Sequence, residues 1–387
     1  MVFELSRKVG VIKVSGIRKL FELASKMEDV INLGLGEPDF NTPEYIKEAA
    51  KRALDENFTH YTPNIGIPEL REAIAEKLKR ENRVDVNPES EVMVTNGATQ
   101  ALTLSILAIL NEGDEVLIPS PTFVSYGAAV IFAGGVPVEV ETREDEEFRV
   151  NVDELERHVS GKTKALIIST PNNPTGSILT RGNLEELADF AVKHDLIVIS
   201  DEVYEKIVYE EPHCSIASLN GMKERTITVN AFSKTYAMTG WRLGYLAAPE
   251  QIVSEIVKLQ MYTAVCATSF AQKAAVEALR GPQSFVEEMR REYARRRELV
   301  YSRLNDMPKI SAIKPKGAFY VFPNIKATEM VSEKFSSYLI REARVATVPG
   351  RAFGRYGEGY IRISYAASYE KLEEAMDRIS EALNRLS

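Results

Sequence analysis

Cysteine, histidine and tryptophan are scarce in these 387 residues, with two, four and one respectively. Cys214 and Cys266 stand far apart with no C-x-x-C spacing. That excludes a disulfide framework and fits a reducing compartment. The histidines form no metal-ligand pattern such as H-E-x-x-H. No apolar run reaches the ~18–20 residues of a membrane span. The segment Met1 to Gly10 carries Glu4, Arg7 and Lys8 and no apolar stretch, so no secretory leader is expected. A G-x-G-x-x-G fingerprint, a Walker A lysine loop, internal repeats and low-complexity tracts are missing too. These absences lead to the expectation of a cytoplasmic protein with neither nucleotide-loop nor metal chemistry.

What is present is ordinary soluble composition: 44% apolar and 27% charged residues. The net charge of −8 argues against general nucleic-acid or anionic-membrane binding. The densest basic run is Arg290, Arg291, Arg295, Arg296 and Arg297. Glu287, Glu288, Glu292 and Glu298 are interleaved with it, which reads as a solvated helix laced with ion pairs. The length suggests two domains, or one large and one small.

Short apolar runs alternate with amphipathic ones through the middle of the chain. Strands are expected at 91–95, 115–118, 136–140, 164–169, 196–200, 226–229 and 244–247. Helices are expected at 99–110, 124–132 and 183–193. Strands apolar on both faces and separated by helices indicate a parallel sheet covered on both sides. A long helix over 284–305, short strands near 317–322 and 360–364 and a last helix over 369–385 read as a smaller α+β part. The expected division is an arm and part of the small domain over 1–45, a large domain over 46–283 and a small domain over 284–387.

The densest chemical signal is Ser233-Lys234-Thr235-Tyr236-Ala237-Met238-Thr239-Gly240-Trp241-Arg242. A lysine that forms a covalent imine with pyridoxal 5′-phosphate needs such surroundings. Its amine must shed a proton, and nearby cations and apolar groups favour that. Ser233 and Arg242 suit the cofactor's phosphate. The segment, with its Gly-Trp-Arg-Leu-Gly, resembles the lysine motif of class I pyridoxal-phosphate-dependent aminotransferases, the aspartate aminotransferase family. Within that family the chain resembles archaeal aromatic aminotransferases.

Other motifs fall at strand ends, where open α/β sheets bind ligands. Asn96-Gly97-Ala98-Thr99-Gln100 opens a helix, whose N-terminus attracts phosphate. Pro171-Asn172-Asn173-Pro174-Thr175-Gly176 and Ser200-Asp201-Glu202-Val203-Tyr204 follow two further strands. A carboxylate at the pyridine nitrogen keeps it protonated and the ring electron-withdrawing. The resemblance implies that Ala98 and Thr99 hold phosphate and that Phe123 stacks on the ring. It implies that Asn173 and Tyr204 donate to the ring hydroxyl and that Asp201 meets the ring nitrogen. Gly36, in Gly34-Leu35-Gly36-Glu37-Pro38-Asp39-Phe40, would lie over the substrate. Arg362 and Asn173 would also bind substrate, Arg362 gripping its α-carboxylate, which a guanidinium fork matches in two places. Tyr61 would reach the phosphate of the neighbouring subunit of a homodimer.

The resemblance covers about residues 30–365 and implies the aspartate aminotransferase-like fold: a large α/β domain with a mostly parallel sheet, plus a smaller α+β domain. It implies ping-pong transfer of an amino group to 2-oxoglutarate, with Lys234, Asp201 and Tyr204 as the catalytic residues. Two departures stand out. Thr99 lies where aspartate-preferring relatives often carry lysine, and Arg351 replaces a small residue. Arg351 is expected to be a solvent-facing charge or an adjuster of the substrate entrance. With Phe123, Tyr126 and Ile17 as pocket contributors, an aromatic or large apolar donor is expected. Arg18 or neutral donors would meet the distal carboxylate of 2-oxoglutarate. The rivals are a carbon–sulfur β-lyase on the same fold and a non-catalytic cofactor-binding regulator.

Overall fold

The computed structural model describes Gly10 and residues 27–386. The expectations placed on Ile17 and Arg18 fall outside the described residues. The strands are β1 (Ile31–Asn32), β2 (Val92–Thr95), β3 (Glu115–Ser120), β4 (Val136–Glu141), β5 (Thr163–Ser169), β6 (Ile197–Asp201), β7 (Thr226–Ala231), β8 (Gly244–Ala247), β9 (Tyr320–Val321), β10 (Val345–Ala346), β11 (Val348–Pro349) and β12 (Ile361–Ser364).

Seven strands form one sheet in the order β2-β8-β7-β6-β5-β3-β4. All run parallel except β8, which is antiparallel to both β2 and β7. The inverted strand matters for the site. Its register pairs Gly244 with both Thr95 and Ala231. The start of β8 therefore lies at the same edge as the ends of its neighbours, and Arg242 joins the residues that follow β2 and β7.

Alternation builds two cores on the sheet. Val116, Ile118, Ile167, Ile199, Ile227 and Val229 share one cluster with the helices Ala98–Ile109, Ser125–Phe132 and Glu250–Thr263. Leu117, Leu166, Ile168 and Val198 face the other way, against the helix Arg181–Lys193. That helix starts at a capping box, where Thr180 and Asn183 satisfy each other's backbone amides. A third cluster joins β2 to the helices Glu44–Asp55, Pro68–Lys77 and Ser269–Arg280. A fourth unites Ile31 and Leu33 with residues from Tyr204 to Leu383, including the helices Ser284–Asn305, Ser332–Glu342 and Tyr369–Asn384. Beside it, β12 pairs antiparallel with β9 and β11.

The arginine-rich helix departs from expectation. It is helical over Ser284–Asn305, and Arg291 and Arg295 are exposed. Arg296 and Arg297, however, are buried. Arg296 pairs with Asp39 at 2.8 Å and with Glu292 at 2.9 Å. Arg297 pairs with Glu210 at 2.7 Å and donates to the Pro315 carbonyl at 2.9 Å. Both lie on the face that carries buried Tyr293 and Val300. Ion pairs across the packing interface, rather than solvent, satisfy them.

Candidate active site

A cavity of about 310 Å³ opens where β2, β3, β5, β6 and β7 end. Eleven of the twelve sequence-predicted site residues line it: Gly36, Ala98, Thr99, Phe123, Asn173, Asp201, Tyr204, Ser233, Lys234, Arg242 and Arg362. Tyr61, the twelfth, lies outside it and is 85% exposed. Leu102, Val124 and Phe353 add apolar wall. Arg351 is exposed, next to Phe353 but not in the cavity lining.

One end of the cavity suits an anion. The helix Ala98–Ile109 follows Gly97, which has φ +82° and gives no side-chain cap. Its first amides are left to an external acceptor. A Cβ on Gly97 would stand 2.6 Å from an Arg242 guanidinium nitrogen, so a larger residue would fill this cradle. A Cβ on Gly244 would stand 2.7 Å from the Ala98 nitrogen. Arg242 itself has φ 51° and donates to the Thr239 carbonyl at 2.9 Å.

At the floor lies Asp201, the last residue of β6 and buried. Its carboxylate accepts from the Tyr126 hydroxyl at 2.7 Å and the Val203 amide at 3.3 Å. Among the described residues it has no ion-pair partner. Burial raises its pKa to about 6, against the pull of those two donors. Opposite it, buried Arg362 donates to Asn173 Oδ1 at 2.9 Å and the Gly34 carbonyl at 2.7 Å. Its Nε has no partner, and no carboxylate of the described residues pairs with it. In the same cavity, Lys234 donates to the Gly36 carbonyl. Burial lowers the Lys234 pKa to about 8. Arg362 and Arg242 push the same way, and Glu37 opposes them.

The cavity thus holds a buried anion without an ion-pair partner, a buried cation without one, and an amine whose proton is held less tightly than usual. Charges so placed are costly unless a ligand completes them.

The sequence matches the model of the family aminotransferase class I and II over residues 28–379. It is 61% identical over 382 residues to an aspartate aminotransferase of Pyrococcus abyssi, covering 98% of each chain. It is 60% identical over 382 residues to aromatic-amino-acid aminotransferase 2 of Thermococcus litoralis, again over 98% of each. The solved structure of an aromatic aminotransferase from Pyrococcus horikoshii superposes with a TM-score of 0.91 at 59% identity, covering 96% of this chain and 100% of that one. The chain belongs to the class I and II aminotransferases. It is a pyridoxal-phosphate-dependent transaminase with the aspartate aminotransferase fold.

The cavity of this aminotransferase fits the cofactor. The capless helix start and Arg242 can take its phosphate, the cation-less Asp201 its protonated ring nitrogen, and the neutral form of Lys234 its carbonyl carbon.

Several polar residues near the site give no motif signal. Tyr126 lines the cavity as expected, and its hydroxyl is also tied to Asp201. Tyr320 donates to, or accepts from, Tyr204 at 2.7 Å. Behind Asp201, Glu202 accepts from Ser200, Ser215 and Asn82, and bonds His213 at 3.0 Å. Glu205 pairs with buried Lys77 and accepts from Asn82 at 2.8 Å. Burial would push the Glu205 carboxyl up, but Lys77 and His213 overcome it and leave a pKa of about 2. Glu202, Glu205 and His213 are close enough to hold a metal. The Lys77 ammonium already provides the cation there. Apart from Ser200 and Glu202, which sit in the motif of Asp201, none of these residues falls in a short motif, since they come from separated segments of the chain.

The Asp201 shift fixes a pH dependence. Its pKa is higher folded than unfolded, so its charge opposes folding once the pH exceeds the unfolded value of about 3.8. That cost grows through pH 6 and vanishes at low pH. Cofactor-free Asp201→Asn should therefore melt above the wild type at about pH 7 and beyond, with the gap closing toward about pH 4. Equal melting temperatures across this range would contradict a buried, cation-less Asp201.

Proposed function

We propose that this transaminase takes its amino group from an aromatic or large apolar amino acid and delivers it to 2-oxoglutarate by ping-pong turnover. The observation that carries the reading is the pair of uncompensated buried charges, Asp201 and Arg362, facing a common cavity around Lys234. When bound, pyridoxal phosphate supplies an electron sink for the negative charge left as the substrate's α-carbon loses its proton. The rest of the chemistry belongs to the chain. Arg362 clamps the substrate's α-carboxylate through its unpartnered Nε and the remaining N–H of a terminal nitrogen, while Asn173 and the Gly34 carbonyl brace the guanidinium. Lys234 Nζ, deprotonated, takes the α-proton and returns a proton to the other side of the reacting bond. Asp201 keeps a proton on the ring nitrogen, while Tyr126 holds the carboxylate in place. Tyr204 and Asn173 donate to the ring hydroxyl oxygen, and Phe123 packs on the ring face. Ser233, Arg242 and the amides of Ala98 and Thr99 anchor the phosphate. Gly36 lies over the substrate, where its backbone carbonyl already meets Lys234.

Tyr61, exposed and outside its own chain's cavity, is proposed to reach the site of a second copy in a two-fold dimer. Sedimentation of a fully active monomer would refute this. The division at 46–283 and 284–387, with 1–45 shared, and a cytoplasmic location are part of the same reading.

The relatives' names divide between aspartate and aromatic substrates, and the cavity lining supports the aromatic reading for this chain. Leu102, Phe123, Val124 and Phe353 are apolar, and Thr99 is uncharged. Each cation in the lining already has a role: Lys234, Arg242 and Arg362. A distal carboxylate would be buried without a partner, whereas an aromatic ring gains apolar contact. The distal carboxylate of 2-oxoglutarate is assigned to neutral donors such as Thr99, or to Arg18. A β-lyase would release pyruvate and ammonia with no acceptor oxo acid, and the relatives' names give it no support.

Lys234→Ala should lower transamination by at least about 10³-fold, the scale of general acid–base catalysis. Borohydride reduction of the wild-type holoenzyme and peptide mapping should put the phosphopyridoxyl label on Lys234, and a label elsewhere would sink the assignment. With 2-oxoglutarate as acceptor, kcat/KM for phenylalanine or tyrosine should exceed that for aspartate. A preference for aspartate of about tenfold or more, roughly 1.4 kcal/mol, would overturn the substrate reading and leave the transaminase intact.

A further inference from the structure

We infer that Tyr320 is a positioning residue that fixes Tyr204 and Arg362 relative to each other, and so sets where the substrate's carboxylate lies against the cofactor. The inference rests on the roles proposed above for those two residues. Tyr320 belongs to β9 and pairs directly with Ser364 of β12. Arg362 lies two residues before Ser364, so it projects from the same face of the sheet. Its guanidinium carbon sits 4.4 Å from the centre of the Tyr320 ring. At the other end of the phenol, the Tyr320 hydroxyl lies 2.7 Å from that of Tyr204, just after β6 in the large sheet. Tyr320 is fully buried, and a Cβ on Gly36 would come within 2.8 Å of its hydroxyl. One rigid side chain thus touches the strand that carries the carboxylate clamp, the tyrosine at the cofactor and the glycine segment over the substrate.

Hydrogen-bond accounting gives the contact a direction. A phenol has one proton to donate. If Tyr204 gives its proton to the cofactor's ring oxygen, Tyr320 must give its own to the Tyr204 oxygen. Donation into Tyr204 strengthens Tyr204 as a donor, because successive hydrogen bonds polarise one another. The ring acts separately, since its face attracts the guanidinium and holds it in place. The two halves of the side chain are therefore separable. Phenylalanine keeps the ring and loses the proton, and leucine loses both.

Two readouts on the holoenzyme test this without turnover. The first is the pH titration of the bound cofactor's visible absorbance. The second is the dissociation constant of 3-phenylpropionate, a carboxylate with no amino group to transfer. Tyr320→Phe should raise the titration midpoint, as Tyr204→Phe should, and leave 3-phenylpropionate binding within about twofold of wild type. Tyr320→Leu should weaken 3-phenylpropionate by about fivefold or more. A midpoint that moves in Tyr204→Phe but not in Tyr320→Phe overturns the inference. So does a Tyr320→Leu enzyme that binds 3-phenylpropionate as the wild type does. A midpoint unmoved by Tyr204→Phe overturns instead the role proposed for Tyr204, and the proton relay falls with it.

Discussion

A carboxylate buried at the end of β6 without a cation is the constraint on which the rest of this structure turns. Asp201 is 4% exposed, and among the described residues only a tyrosine hydroxyl and one amide hydrogen-bond to it. Such a group is unfavourable in the empty protein and favourable once a cationic ring nitrogen meets it. Arg362 poses the same problem with the opposite sign. The fold tolerates both because each is held by neighbours that cannot neutralise it: Tyr126 for Asp201, and Asn173 and Tyr320 for Arg362. Behind Asp201, the Lys77–Glu205 and Glu202–His213 pairs are satisfied among themselves. They make the floor rigid while leaving the Asp201 charge exposed to the cavity alone.

Topology brings these groups together. Parallel strands deliver Ala98, Phe123, Asn173, Asp201 and Lys234 to one edge, each at or just past a strand end. The inverted β8 adds Arg242 from its beginning rather than its end. Arg362 comes from the separate three-stranded sheet, and Gly36 from the segment after β1. The cavity is therefore walled by two cores, and contacts such as Tyr204–Tyr320 join them.

Much of this was legible in the sequence because strand ends concentrate chemistry into short motifs. The strands of the large sheet begin and end within two residues of expectation, since each is an apolar run bounded by polar turns. Eleven predicted site residues meet in the cavity for the same reason. Tyr61 does not, and lies exposed outside it. What escaped was carried by single residues far apart in sequence. Tyr126 reads as one more apolar wall until its hydroxyl is seen on Asp201, 75 positions away. Tyr320 sits in a two-residue strand with nothing around it to mark a site. Arg296 and Arg297 look solvated beside Glu292 and Glu298, with which they do pair, because their further partners, Asp39 and Glu210, lie outside the helix. The inversion of β8 left no trace either, since an apolar strand of four residues reads the same in both directions.

The central claim is that Asp201 waits for a positive charge on the cofactor ring. Nitrogen-15 NMR of the holoenzyme loaded with ring-labelled pyridoxal phosphate, at about pH 8, tests it at the atom concerned. The account predicts a protonated ring nitrogen in the wild type and a neutral one in Asp201→Ala. A neutral ring nitrogen in the wild type, or a protonated one that persists without the carboxylate, would contradict it.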